Sequence, residues 1–148
     1  MRDLNHWLAS YAESHQNPTN KAIHKICVPA IMFSLLGILW SIPVPEVFQS
    51  IAFLNWATLF ALACMVFYFS LSLKFSFAMI AILFVMFTGV YFLDQALPLL
   101  WTSVTIFVIA WIGQFIGHKI EGKKPSFFED LVFLLIGPLW VLKSLGVK

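Results

Sequence analysis

Long apolar runs alternate with short polar stretches along this chain. Residues 3–14 place Leu4, Trp7, Leu8 and Tyr11 on one helical face and Asn5, His6 and Glu13 elsewhere. That pattern predicts a short amphipathic helix at a membrane interface, with Trp7 and Tyr11 at headgroup level. Asn17-Pro18 then restarts the chain, because Asn is favoured as an N-cap and Pro at the first helical position. The new helix carries Asn20, Lys21 and His24 in its first turns and is apolar from Ile26 to about Ile42. Pro29 inside it predicts a kink and a freed carbonyl at Lys25.

Pro43 to Glu46 reads as a turn. Apolar runs follow from Val47 to Leu73, from Phe75 to Leu93 and from Leu99 to Gly117. Only Lys74 and its small neighbours separate the first two, which predicts a tight hairpin. Asp94 to Pro98 forms the next turn. Each run approaches the ~20 residues that span a bilayer. After Pro125, Ser126 to Glu129 reads as a capping box that starts a last helix. Gly137-Pro138 is expected to interrupt it, so that segment is either a fifth span or a helix that dips in and stays on the starting side. The predicted fold is all-α: a polytopic membrane bundle of four spans, one amphipathic N-terminal helix and a short C-terminal helix. Its 148 residues suit a single integral-membrane domain, 1–148.

Composition sharpens this. Hydrophobic residues make up 61% of the chain and charged residues 11%. Soluble domains carry about 25% charged residues, so this chain lacks the polar surface to stay in water. The basic residues lie scattered at chain turns, which speaks against a nucleic-acid partner. Cys27 and Cys64 form neither a disulfide framework nor a CxxC site and read as packing residues. With the N-terminus inside, the inner side holds Arg2, Lys21, Lys25, Lys74, Lys119, Lys123 and Lys124, and the outer turns hold Glu46 and Asp94. The bias predicts a cytoplasmic inner side. Lys143 and Lys148 join it if the last segment does not cross.

The same topology brings candidate chemistry to one side. His15 and His24 precede the first span and His118 follows the fourth. Imidazole is a common metal ligand, and two His with one carboxylate hold mononuclear Fe(II) with positions left open. His15, His24 and His118, with Glu121 as a weaker candidate, supply enough donors. Asn20 and His24 are four apart on one helical face, as are Gln114 and His118. Asn17, Asn20 and Gln114 are therefore expected to orient the imidazoles. Gly113 and Gly117 form a small-xxx-small pair that lets another backbone approach. Taken singly, each histidine reads better as an interfacial side chain bonded to backbone or water, and His6 keeps that reading. For the trio, shared sidedness and amide companions favour a site at the membrane edge. Four histidines are too few for a desaturase-type di-iron centre. No phosphate loop, serine nucleophile elbow or HExxH motif is present.

Two stretches carry a family resemblance. His15-x-Asn17-Pro18-x-Asn20-x-x-Ile23-His24 with Val28-Pro29, and Trp111-Ile-x-Gln114-Phe115-Ile-Gly117-His118 with Glu121 to Pro125 and Asp130-Leu131, resemble the two signatures of the membrane 2-hydroxy fatty acid dioxygenases. That family includes fungal proteins of the endoplasmic reticulum and bacterial proteins. The resemblance implies an Fe(II)-dependent enzyme in the bacterial inner membrane or endoplasmic reticulum. It would use dioxygen to shorten a 2-hydroxy fatty acid by one carbon, with His15, His24 and His118 at the family histidines. The family acid follows the last histidine by four residues, whereas Glu121 follows by three, which makes it a weaker candidate for a ligand. Lys21 or Lys25 is expected to attract the substrate carboxylate. The rival readings are a zinc-dependent membrane lipid hydrolase and a non-catalytic lipid-binding scaffold.

Overall fold

A computed structural model of the chain describes residues 3–122 and 127–147, with the backbone alone for 127–131. Every regular element among them is helical. The expected capping box at Ser126 to Glu129, the Lys123-Lys124-Pro125 and Asp130-Leu131 parts of the second signature, and Arg2 and Lys148 lie outside what is described. The chain forms two compact units, Met1–Met32 with Val108–Lys148 and Phe33–Phe107. Helices α2 and α5 each contribute residues to both.

In the first unit, Asp3 caps α1 (Leu4–Glu13) by accepting the His6 N–H at 2.9 Å. The amphipathic face is used differently from the expectation. Leu8 and Tyr11 are buried, and α1 packs on α6, so Tyr11 is a core residue and not a headgroup anchor. Helix α2 (Pro18–Ser41) starts where Asn17-Pro18 predicts. The Asn17 Oδ1 accepts from the backbone N–H of Thr19 at 2.9 Å and of Asn20 at 3.3 Å. Pro29 stays inside the helix.

Helix α5 (Leu99–Glu121) runs a turn beyond the apolar stretch and so carries His118 and Glu121 on regular helix. Gly122 stops it with φ +75°, the left-handed geometry that glycine adopts without a Cβ clash, and returns its N–H to the His118 carbonyl at 3.0 Å. The two glycines of α5 face α2. A methyl on Gly113 would strike Cys27, and one on Gly117 would strike Asn20 and the His24 ring. Helix α6 (Phe127–Ser144) passes unbroken through Gly137-Pro138, against expectation. Packing overrides the breaker. Gly137 is pressed on Val28, where an added Cβ would stand 3.0 Å from Cγ1, and Ile136, Leu139 and Trp140 are buried around it.

The second unit corrects the next boundary. Residues after Pro45 form a 3-10 turn (Glu46–Ser50), and α3 (Trp56–Leu71) begins only at Trp56. Asn55 and Thr58 exchange side-chain and backbone bonds in a reciprocal cap, with Thr58 N–H to Asn55 Oδ1 at 3.1 Å and Asn55 N–H to Thr58 Oγ1 at 2.9 Å. Phe53, at φ +61°, already breaks any helix before it. Extended backbone at Ser72 makes the hairpin to α4 (Leu73–Ala96).

Helices α2, α4 and α5 are long and apolar enough to cross a membrane. Helix α3, with 16 residues, and the apolar part of α6 are shorter than those three. The fold is a helical membrane bundle, as its composition requires.

Candidate metal centre

The candidate centre lies wholly in the first unit. Three histidines reach it from three places: His15 from the α1–α2 link, His24 from the second turn of α2, and His118 from the last turn of α5. Their ring centres stand 4.3 Å apart for His15 and His24, 5.2 Å for His24 and His118, and 6.1 Å for His15 and His118. His15 and His24 are 2% and 1% exposed.

Each of these two rings is fixed by its own helix. His15 Nδ1 lies 2.6 Å from the Tyr11 carbonyl and His24 Nδ1 lies 3.0 Å from the Asn20 carbonyl. A carbonyl only accepts, so Nδ1 carries the proton in both. The neutral ring then keeps its lone pair on Nε2. A ring whose Nδ1–H is held by a carbonyl is the usual arrangement of a metal-ligating histidine. His118 differs: its Nδ1 is buried and has no hydrogen-bond partner among the described residues.

A cavity of about 30 Å³ lies among the three rings. Its walls include Gln114, Trp111 and Phe133. That volume takes one ion or one water, not an acyl chain. Three imidazoles about 2.1 Å from one ion would have ring centres roughly 4.6 Å apart at right angles and roughly 5.3 Å apart in a tetrahedron. Two of the separations lie close to this range, and His15 to His118 exceeds it. Accordingly, no three His, Cys, Asp or Glu side chains among the described residues stand in finished metal-holding geometry. The donor types and the cavity size suit a single ion, and the His15–His118 separation is wider than one shared ion would set.

Glu121 has a different job from the one its spacing suggests. Its carboxylate accepts from the backbone N–H of Gln16 at 2.9 Å, of Asn17 at 3.0 Å and from the Asn20 amide at 2.9 Å. Both oxygens are thus engaged at the N-terminus of α2, where a negative charge is stabilised by the exposed N–H groups. Glu121 fastens α5 to the strap that carries His15. Asn17 likewise spends its side chain on capping α2, not on an imidazole. Asn20 serves His24 through its carbonyl, and its amide also reaches the Ser14 carbonyl at 3.3 Å. Gln114 is buried at the cavity wall. Lys21 and Lys25 do not line that cavity. They border a separate groove beside His15. His6 stays exposed on α1, away from the cluster.

Aromatic cover around His15 was not anticipated from the sequence. Tyr11 stacks on its ring with centres 4.0 Å apart and planes 4° apart, and Trp140 tilts against it at 5.5 Å. Phe133 meets Tyr11 edge-on at 5.3 Å. One signal was available: Tyr11 precedes His15 by four residues, a spacing that puts two side chains on one helical face.

Comparison with known proteins bears on this geometry. A family sequence model described as "2-hydroxy-palmitic acid dioxygenase Mpo1-like" matches residues 1–148. The 2-hydroxy-palmitic acid dioxygenase MPO1 of Saccharomyces cerevisiae is 29% identical over 143 residues, which cover 95% of this chain and 78% of the yeast protein. No solved structure matches the chain.

Proposed function

The chain belongs to the Mpo1-like 2-hydroxy-palmitic acid dioxygenase family, and from that premise we propose that it cleaves 2-hydroxy fatty acids between C1 and C2 with dioxygen. In this reading His15, His24 and His118 hold one Fe(II). The observation that supports it best is the pair of imidazoles whose Nδ1 protons are committed to carbonyls, beside a third, half-buried imidazole and an ion-sized cavity. When bound, Fe(II) supplies redox chemistry with dioxygen and a template for the substrate hydroxyl and carboxylate.

The protein's own groups set the conditions for that chemistry. The carbonyls of Tyr11 and Asn20 hold two rings in the ligand tautomer. Tyr11 and Trp140 lie against the His15 ring and would shield that side of a bound ion from water. Glu121 keeps α5 and the α1–α2 link in register, so that His118 stays opposite His15. It is a positioning residue, not a ligand. The reaction balances without a second co-substrate. A 2-hydroxy acid and dioxygen give the acid one carbon shorter, carbon dioxide and water. The substrate gives up four electrons and dioxygen takes four.

The lysines at this end of the unit, Lys21, Lys25, Lys119 and Lys143, favour placing the site on the cytoplasmic side. The test is anaerobic loading with Fe(II), addition of 2-hydroxypalmitate, and oxygen uptake followed by mass spectrometry. One dioxygen consumed for each fifteen-carbon acid released supports the proposal. Shortened acid formed at the same rate without oxygen defeats it, because dioxygen would then not be the oxidant. No shortened acid from any 2-hydroxy acyl chain tested defeats the reading.

A further inference from the structure

Beside His15 lies a second concavity, a groove of about 330 Å³ bordered by Lys21, Lys25, Lys143, Ser144 and Trp140. Helix α2 contributes Lys21 and Lys25, one turn apart on one face, and α6 contributes Lys143. None of the three forms an ion pair among the described residues. Like charges at this spacing repel, so the unliganded arrangement carries a cost that an anion removes. The groove also has an apolar share of its lining, from Ala12 and Trp140. A cationic groove with apolar neighbours suits an amphiphile better than a free inorganic anion. His15 is common to the groove and to the histidine cavity.

We propose that Lys143, with Lys21 and Lys25, forms a carboxylate port. The port takes the ionised head of a long-chain acid at the membrane surface and sets it against His15. The port rests on the proposed substrate class, and it makes Lys143 a specificity-determining residue that prefers acids over neutral acyl esters. The groove is too open to be a desolvated ion-pair site, so each lysine contributes modestly. Exposed pairs are worth ~0.2–1 kcal/mol, which is about a 1.4- to fivefold change in affinity for each lysine.

Binding to the metal-free full chain in detergent tests this without any turnover. The probes are 2-hydroxypalmitate, palmitate and 2-hydroxypalmitate methyl ester, read by tryptophan fluorescence. Both acids should bind more tightly than the ester, and the preference should shrink with added salt. Lys143→Gln should weaken both acids about three- to fivefold and leave the ester unchanged, with Lys143→Arg near wild type. The triple Lys→Gln variant should abolish the preference. Equal affinity for acid and ester, or an unaltered preference in Lys143→Gln, overturns the port. Displacement of palmitate by phosphatidylglycerol in nanodiscs, but not by phosphatidylcholine, would also overturn it, because the groove would then be a phospholipid headgroup site. Failure of oxygen-dependent cleavage leaves these results intact, so the two readings fall separately.

Discussion

The two compact units use their polar side chains differently. In the Phe33–Phe107 unit, several hydroxyls bond within their own turn, and the buried Ser103 Oγ has no hydrogen-bond partner among the described residues. Ser41, Ser70, Ser76, Thr88 and Thr105 each donate to a carbonyl three or four residues back. Such bonds satisfy a hydroxyl in lipid and specify nothing beyond their helix. In the histidine-bearing unit, polar groups reach far along the chain. Glu121 bonds Asn20 and Gln16, 101 and 105 residues away. Long-range polar bonds in an apolar protein order several segments at once and are costly to leave half made. One unit is thus built to persist in a membrane, and the other to hold a constellation.

Substitutions that separate the two units rank by expected effect. His24→Ala and His118→Ala should have the largest, removing bound iron and reducing oxygen-dependent turnover at least ~10³-fold while the helical content stays near wild type. Metal analysis and circular dichroism check this. Glu121→Ala comes next. It removes charge-assisted bonds worth about 1–3 kcal/mol in total, lowers Tm, and weakens iron binding less than either histidine variant. Iron loss equal to that of His24→Ala would make Glu121 a ligand after all.

A matched glycine pair sharpens the contrast. Gly117→Ala pushes a methyl into Asn20 and the His24 ring, and Gly37→Ala pushes one into Ser103. Overpacking of this kind costs ~1–3 kcal/mol at either site. Only Gly117→Ala should also weaken iron binding, because only its clash falls on the site. The smallest effect belongs to Thr88→Val, which deletes a bond internal to one turn on an exposed position. It should change stability by less than ~0.5 kcal/mol and leave iron unaltered. A larger loss there would mean that the second unit is as polar-dependent as the first.

Much of this was legible in the chain. Asn17-Pro18 marked the start of α2, and Lys74 with its small neighbours marked the α3–α4 hairpin. Motif order and positive charge suggested that His15, His24 and His118 lie near each other. The rest depended on a local cap hidden inside an apolar run and on contacts distant in sequence. The helix at Trp56 starts late because Asn55 and Thr58 cap it, inside a run that hydrophobicity alone treats as continuous. Gly137-Pro138 looked like a breaker, yet α6 continues through it, packed on Val28. Glu121 shared a helical face with His118, and spacing could not reveal that three N–H groups from the other end of the chain would occupy its carboxylate. Tyr11 and Trp140 looked like two of many membrane aromatics until His15 lay between them.

The central claim is that three imidazoles share one iron. Iron-edge X-ray absorption of the Fe(II)-loaded full chain tests it most directly. The account predicts one iron per chain with three imidazole nitrogens at about 2.1 Å, and loss of that imidazole signal in His118→Ala. Iron bound without imidazole scattering, or no stoichiometric iron at all, would contradict it.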